Sequence, residues 1–145
     1  MSYHAKTSIL VHCVFATKNR KDSIMPEIQP KLWAYIGGIA RENKMKALAV
    51  GGVADHCHVL LSLPPTMAVA KGVQLIKSGS SKWMHKSGQR KFDWQEGYGG
   101  FTIGMSQVPA TVRYISNQAK RHAKTSFADE WKIILKKHDL PSDEE

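Results

Sequence analysis

Two histidines separated by one residue are the first side chains whose spacing could do chemistry. His56 and His58 flank Cys57 at the start of HCHVLLSL, an apolar run that predicts a strand over 56–63. Since side chains alternate along a strand, both imidazoles would project from one face and Cys57 from the other. Two imidazoles on one face can share a divalent ion. The pattern therefore predicts a metal site, although a chain with seven histidines also produces such a pair by chance.

Tyr114 is the second residue of interest because it lies in a basic helical segment, VRYISNQAKRH. Gln118 follows four residues later and so shares the same helix face. A tyrosine on an amphipathic helix usually serves packing, which is the plain alternative. A tyrosine hydroxyl can also attack a phosphodiester when a metal polarises the phosphate. The amide oxygen of Gln118 would then complete the coordination begun by His56 and His58.

The charge of the chain indicates what such a site would act on. There are 21 Lys+Arg against 12 Asp+Glu, which gives a formal net charge of +9. No acidic residue lies between Asp55 and Asp93, whereas several cations do, and a second basic cluster precedes the last helix. Two clusters of one sign favour phosphate binding over solvated helix faces. The predicted DNA-contacting cations are Arg20, Lys71, Lys77, Lys82, Arg90, Arg113, Lys120 and Arg121.

The elements that must hold these side chains follow from periodicity and turn residues. Strands are predicted over 7–16, 45–53, 56–63 and 101–105, and helices over 26–43, 66–77 with a continuation to 83, 109–122 and 126–137. This order predicts an α+β, ferredoxin-like (split βαβ) fold, in which helices cover one face of a four-stranded antiparallel sheet. The C-terminal helices would carry Tyr114. The chain is predicted to be one domain over 1–145, with its core at 7–138 and an acidic tail at 139–145.

Composition excludes several classes of protein. Hydrophobic residues make up 42% and charged residues 23% of the chain, which is typical of a folded domain and not of disorder. No apolar run approaches the roughly 18 residues of a membrane helix, and the N-terminal residues lack the order of a secretory signal. Cys13 and Cys57 form no CxxC pair, so we expect buried thiols in a reducing cytoplasm.

The other histidines and aromatic residues carry smaller predictions. His12 is expected to pack within the sheet, and His122 to lie at a solvated helix end. Trp94 and Tyr98 occupy a glycine-rich loop and are the candidates for stacking on an unpaired base. The remaining tryptophans are expected to form core or dimer contacts; they are Trp33, Trp83 and Trp131.

Four segments together resemble the small HUH-type, single-tyrosine transposases of bacterial insertion sequences, the IS200-like family that includes REP-associated tyrosine transposases. The segments are HCVFATKNRK, GGVADHCHVLLSLPPTMAVAKGVQLIKSGSSKWM, WQEGYGGFTIG and VRYISNQAKRHAKTSFADEWKIILKKH. The resemblance implies that His56, His58 and Gln118 are the protein ligands of the metal. It implies that Tyr114 is the nucleophile. Cys57 departs from the bulky hydrophobic residue usual at the middle position, but it is apolar enough to serve there.

The resemblance also implies a reaction and its partners. Mg²⁺ or Mn²⁺ would hold a phosphate of single-stranded DNA, and Tyr114 would attack it to form a 5′-phosphotyrosine bond and free a 3′-hydroxyl. That hydroxyl later reverses the step, so no nucleotide cofactor is needed. The implied partners are single-stranded DNA with hairpin or palindromic ends and a second copy of the chain in a homodimer. No membrane partner is expected.

Two alternatives from other functional classes remain. A non-catalytic protein that binds hairpins of single-stranded DNA or RNA on the same fold has no need of all four site residues. The intact set of His56, His58, Tyr114 and Gln118 therefore disfavours it. A metal-dependent hydrolase in which Tyr114 is only structural ranks last, because no carboxylate base is evident near the histidines.

Overall fold

Four antiparallel strands form the frame of the chain in a computed structural model that describes residues 5–142. The strands are β1 (Leu10–Ala16), β2 (Lys46–Val53), β3 (His56–Ser62) and β4 (Gly99–Thr102). Their order across the sheet is β2-β3-β1-β4, and each neighbouring pair runs antiparallel. With one helix after β1 and one after β3, this is the ferredoxin-like arrangement. The predicted α+β fold class is confirmed.

Helices cover both faces of the sheet. Within residues 5–142 the α-helices are α1 (Gln29–Glu42), α2 (Val69–Lys86), α3 (Val108–Ser116), α4 (Gln118–His122) and α5 (Phe127–Lys137). The first two pack on one face and the last three on the other. None of the helices in this range is long and apolar enough to cross a membrane. Residues 1–4 of the predicted domain and 143–145 of the predicted acidic tail lie outside the described range.

The predicted helix over 109–122 is two helices in the structure. The break falls at Asn117, whose backbone leaves the helical region at φ −102° and ψ 19°. Asparagine favours such positions because its side chain competes for nearby backbone groups. The prediction of one continuous helix is therefore wrong. Tyr114 lies in the last turn of α3, and Gln118 begins α4.

Successive side chains along each strand point to opposite faces of the sheet. Cys57 and Val59 of β3 and Cys13 of β1 are buried in the core formed with α1 and α2. Burial raises the pKa of the Cys13 thiol to about 12 and raises that of Cys57 well above its usual value. Both thiols therefore stay protonated and act as small apolar groups. The opposite face of β3 carries His56 and His58, as their spacing predicted.

Gly51 on β2 allows the backbone of α3 to lie directly on the sheet. A Cβ at this position would stand 2.4 Å from the carbonyl oxygen of Ile115, the residue that follows Tyr114. We expect Gly51→Ala to lower the free energy of unfolding by about 1–3 kcal/mol, because the backbone of α3 must shift. In thermal denaturation this is a fall in Tm of roughly 3–10 °C.

Gly37 on α1 provides the matched control, since a Cβ there would meet nothing within 4 Å. Gly37→Ala should raise the free energy of unfolding by roughly 0.5–1 kcal/mol, because alanine loses less conformational freedom in a helix. Similar Tm values for the Gly37→Ala and Gly51→Ala proteins would contradict the close packing of α3 on β2.

Candidate active site

The two histidines of β3 lie side by side on the face covered by α3, α4 and α5. His56 and His58 are fully buried, and their ring centroids are 5.1 Å apart. His56 Nδ1 donates to Asp55 Oδ1 at 2.7 Å. His58 Nδ1 lies 2.9 Å from Nε2 of His12, a diagonal neighbour on β1. These partners hold both rings with Nε2 directed at one carboxylate, that of Glu130.

Side-chain oxygen atoms of Glu130 and Gln118 lie beside the two histidine nitrogens and form a cluster with them. Glu130 Oε1 lies 3.2 Å from His56 Nε2 and 3.3 Å from His58 Nε2. Gln118 Oε1 lies 2.9 Å from His56 Nε2. Atoms that bind one ion at roughly 2.0–2.2 Å stand about 3 Å from one another, so this spacing fits a shared divalent cation. His56, His58 and Glu130 form a candidate metal-binding triad, with the Gln118 amide oxygen beside it.

Burial and hydrogen bonding set the protonation of the site histidines. Burial alone would lower the pKa of His56, but hydrogen bonds to Asp55 and Glu130 outweigh burial and raise the pKa to about 9. Burial lowers the pKa of His58 and lowers that of His12 to about 3, so these two rings stay neutral. His56 Nδ1 already donates to Asp55, so its second proton is on Nε2. That proton occupies the position that a metal ion would take, because a ligating nitrogen must be unprotonated.

Tyr114 brings its hydroxyl to the edge of this cluster. The hydroxyl donates to Glu130 Oε2, and the ring stands edge-on to His58 at a centroid distance of 5.6 Å. The Arg121 guanidinium lies 5.2 Å from the centroid of the tyrosine ring. Burial and the Glu130 carboxylate raise the pKa of Tyr114 above its usual value, so the hydroxyl keeps its proton at rest. The structure thus brings Tyr114 together with the predicted metal ligands of its own chain.

Glu130 of α5 is the centre of the site, and the sequence analysis missed it. Its buried carboxylate also accepts hydrogen bonds from Gln118 Nε2 and His122 Nε2, both at 3.0 Å. Burial alone would raise the pKa of this carboxyl, but hydrogen bonds from the two β3 histidines lower it well below its usual range. The sequence did carry one signal for Glu130: its spacing from Phe127 and Ile134 puts all three residues on the apolar face of α5. A buried acid on such a face needs a partner.

His12 packs within the sheet as predicted, and its Nε2 also lies 2.9 Å from Nδ1 of His58. Three other predictions about this region are wrong. His122 is half-buried and donates to Glu130, so it does not lie at a solvated helix end. Trp94 is buried and donates from Nε1 to Ser80 Oγ at 3.0 Å, so it cannot stack on a base. The prediction that no carboxylate lies near the histidines is also wrong, because Glu130 Oε1 lies within 3.3 Å of Nε2 of both.

Some of the predicted DNA-contacting cations lie near the tyrosine. Lys120 and Arg121 line a cavity of about 440 Å³ that Tyr114 also lines. Arg113 is exposed one residue before the tyrosine. Arg20 is exposed in the turn after β1, on the side of the site formed by α5. These positions would let cations contact the phosphates on either side of a strand that reaches Tyr114.

The other predicted cations are farther from the site. Lys71 and Lys82 are exposed on α2, which packs on the sheet face opposite His56 and His58, and Arg90 is exposed beyond the end of that helix. Lys77 instead donates to two carbonyls of the 95–97 loop at 2.6 and 2.9 Å, so it holds that loop in place. Contact of these residues with DNA stays a prediction.

Comparison with known proteins identifies one matching family model and several similar proteins. A family model described as IS200-like transposase matches residues 5–118. The transposase for insertion sequence element IS200 of Salmonella typhimurium is 28% identical over 108 residues, which are 70% of this chain and 71% of that protein. The ISDra2 transposase TnpA of Deinococcus radiodurans is 23% identical over 114 residues, which are 74% of this chain and 81% of that protein.

Two solved structures share the fold. One is a crystal structure of a Deinococcus radiodurans R1 protein assigned as a transposase, with a TM-score of 0.65 and 22% identity over 81% of this chain and 96% of that chain. The other is a REP-associated tyrosine transposase bound to a REP hairpin, with a TM-score of 0.61 and 18% identity over 86% of this chain and 76% of that chain. The family match ends at Gln118, so α5 and its Glu130 lie beyond the matched residues.

Proposed function

The chain belongs to the family of IS200-like transposases, and from that premise we propose that it cleaves and rejoins single-stranded DNA through a covalent 5′-phosphotyrosine bond to Tyr114. The observation that carries the proposal is the meeting of the Tyr114 hydroxyl with a metal-ligand cluster. The hydroxyl donates to the same Glu130 carboxylate that lies within 3.3 Å of both β3 histidines. A tyrosine that served only packing would not need its hydroxyl in such a cluster.

The residues that would hold Mg²⁺ or Mn²⁺ are His56 and His58, with an oxygen of Gln118 or Glu130. When bound, the ion would polarise the scissile phosphate as a Lewis acid. Imidazole nitrogens suit Mn²⁺ better than Mg²⁺. The hydrogen bond from His56 to Asp55 keeps the Nδ1 proton in place and leaves Nε2 for the ion.

The attacking group would be the Tyr114 oxygen. Its proton would pass to Glu130 Oε2, the acceptor that it already contacts, because the histidine hydrogen bonds that lower the pKa of Glu130 at rest are absent when His56 and His58 hold the ion. As the tyrosine oxygen bonds to phosphorus, the bond from phosphorus to the 3′-oxygen breaks, and the departing oxygen takes a proton from solvent to become a 3′-hydroxyl. Arg121, whose Nε lies 3.5 Å from Glu130 Oε2, would balance negative charge on the phosphate. Attack by the 3′-hydroxyl on the phosphotyrosine reverses the step, so rejoining requires no nucleotide cofactor.

Single-stranded DNA with hairpin or palindromic ends is the proposed substrate. The net charge of +9 supports a polyanionic partner, and one structural relative is bound to a REP hairpin. A homodimer stays a prediction.

The experiment that tests the proposal is a denaturing gel of the protein with labelled single-stranded DNA from the palindromes flanking its gene, in Mn²⁺. We expect a slow band that contains both protein and DNA and that is absent when the metal is chelated. Retention on a native gel with no covalent band and no cleavage would instead identify a binding protein.

A metal-dependent hydrolase is the second candidate, because Glu130 supplies the carboxylate base that the sequence did not reveal. It would activate water in place of the tyrosine. Its product is nicked DNA with no protein attached, so the same gel distinguishes the two functions.

Glu130→Gln tests the carboxylate at nearly constant size. We expect Mn²⁺ affinity to fall about 10- to 100-fold, because a charged oxygen beside the two histidines is replaced by a neutral amide. Formation of the covalent band should slow as well, since the Tyr114 proton loses its acceptor. Calorimetric titration with Mn²⁺ and a time course of the covalent band measure the two effects.

Asp129→Asn is the matched control, because Asp129 is the neighbouring acid on α5 and is exposed. It removes the same charge from the same helix without touching the cluster. Equal loss of Mn²⁺ affinity in the Asp129→Asn and Glu130→Gln proteins would show that general charge, and not ligation, is measured.

A further inference from the structure

We propose that a cavity beside the metal ligands receives one unpaired base of the single-stranded DNA, next to the phosphate that Tyr114 attacks. This base pocket has a volume of about 320 Å³ and lies between the end of β1, the 95–99 loop and α5. The lining residues used below are Arg20, Gln95, Glu96, Tyr98, Gly99, Phe127 and Trp131. The inference rests on the proposed function, since it assumes that DNA reaches the metal site.

The position of the base pocket follows from three neighbouring aromatic rings that begin at the metal site. Phe127 stacks on the metal-site ring of His56, with centroids 4.2 Å apart and an interplanar angle of 24°. Trp131 comes one helical turn later on α5, with its centroid 6.1 Å from that of Phe127. One aromatic layer therefore separates the metal ligand from the cavity. A nucleotide adjoining the scissile phosphate is the part of the strand that could reach it.

One wall of the base pocket is a strained turn after β1. Asn19 and Arg20 have φ values of 58° and 52°, which non-glycine residues seldom adopt. The turn is held by the backbone N–H of Asn19, which donates to the Gln95 side-chain oxygen at 2.9 Å. It places the Arg20 guanidinium 5.5 Å from the Phe127 centroid. Strain of this kind persists where the surrounding structure enforces it, commonly at binding sites.

The opposite wall is also built in advance. Gln95 N–H donates to the Ala16 carbonyl at 2.8 Å, and Lys77 fastens the same loop through two of its carbonyls. Gly99 lets the Trp131 indole lie against the strand, since a Cβ there would be 2.7 Å from the indole ring. The cavity thus needs little rearrangement to accept a ligand, which lowers the entropic cost of binding.

The chemistry of the lining favours a base over other ligands. Proteins bind unpaired bases by stacking them on aromatic rings, with arginine adding a cation–π contribution. Tyr98 lines the cavity and has 42% of its surface exposed, and Arg20 supplies the cation. Glu96 also lines the cavity and would repel a phosphate, whereas a carboxylate can accept hydrogen bonds from a base amino group. At about 320 Å³ the cavity is near the lower limit for ligand sites, enough for one ring system.

The test scans an abasic site through single-stranded DNA from the palindromes flanking the gene, one nucleotide at a time, bound to the full-length Tyr114→Phe protein. We expect Kd to rise about 5- to 150-fold when the abasic site is adjacent to the cleavage position. This is the usual loss of affinity when the stacking of one base on an aromatic ring is removed. Abasic sites elsewhere in the single-stranded segment should have smaller effects. Fluorescence anisotropy of the labelled DNA gives each Kd.

Protein variants assign the effect to the base pocket. Tyr98→Ala and Arg20→Gln, each combined with Tyr114→Phe, should remove the penalty at the adjacent position, because the intact base no longer has its partners. Tyr35→Ala is the matched control, since Tyr35 is also 42% exposed but lies on α1. Arg41→Gln, likewise on an exposed part of α1, controls for charge. Both control variants should keep the penalty.

The outcomes separate this inference from the proposed function. A flat abasic profile, or an unchanged penalty in the Tyr98→Ala and Arg20→Gln proteins, overturns the base pocket even if the wild-type protein forms a covalent band. A position-specific penalty without any covalent band overturns the tyrosine mechanism and supports the pocket. Failure to bind single-stranded DNA at all overturns both.

Discussion

Tyr114→Phe is expected to abolish the covalent protein–DNA band and leave binding of single-stranded DNA nearly unchanged. The substitution removes one oxygen atom and keeps the ring that stands against His58 and under the Arg121 guanidinium. Without the oxygen no phosphotyrosine bond can form, so cleavage should fall by roughly 10⁴-fold or more, as for other lost nucleophiles. A denaturing gel of labelled DNA measures the loss, and a native gel measures the binding that should persist.

The control is Tyr35→Phe, which removes a hydroxyl from an exposed tyrosine on α1. This protein should form the covalent band at the wild-type rate. A covalent band that survives Tyr114→Phe would mean that another side chain is the nucleophile. Nicked DNA without attached protein in both proteins would mean that the chain is a hydrolase, with Glu130 acting on water.

The sequence alone supported those parts of the site that depend on local periodicity. The two-residue repeat of a strand is enough to place His56 and His58 on one face, and the structure has them there. Helical spacing placed Tyr114 and Gln118 on one side of a single helix. The helix breaks at Asn117, yet the Tyr114 hydroxyl and Gln118 Nε2 both donate to Glu130 Oε2, so the pair reaches the same site.

The parts that the sequence did not reveal depend on how distant elements pack. Glu130 meets the histidines only because the turn between α4 and α5 lays α5 across the sheet, and no local pattern specifies that angle. His12 lies beside His58 because β1 pairs with β3 in one register, with Val14 opposite His58. A shift of one residue would turn His12 to the other face. The one local signal for Glu130 was the position of an acidic residue on the apolar face of a predicted helix.

His58→Ala is expected to remove metal binding together with the covalent band. Its Nε2 atom is one of the two nitrogens directed at the centre of the cluster, so its loss should weaken Mn²⁺ binding by more than about 100-fold. The His12→Ala change leaves both ligand nitrogens in place but removes the partner of His58 Nδ1. It should weaken Mn²⁺ binding about 10- to 100-fold, as loss of an orienting partner usually does. His85→Ala, on α2 across the sheet, should have no effect.

The readout that separates metal binding from stability is the rise in Tm caused by Mn²⁺. An ion that binds only the folded chain adds about 2.7 kcal/mol at 100 times its Kd, so the wild-type and His85→Ala proteins should show the full rise. His12→Ala should need more Mn²⁺ for the same rise, and His58→Ala should show none, whatever its Tm without metal. A full rise in His58→Ala would place the ion elsewhere. In that case the Tyr114 hydroxyl would have no metal-bound phosphate to attack, and its bond to Glu130 would be structural.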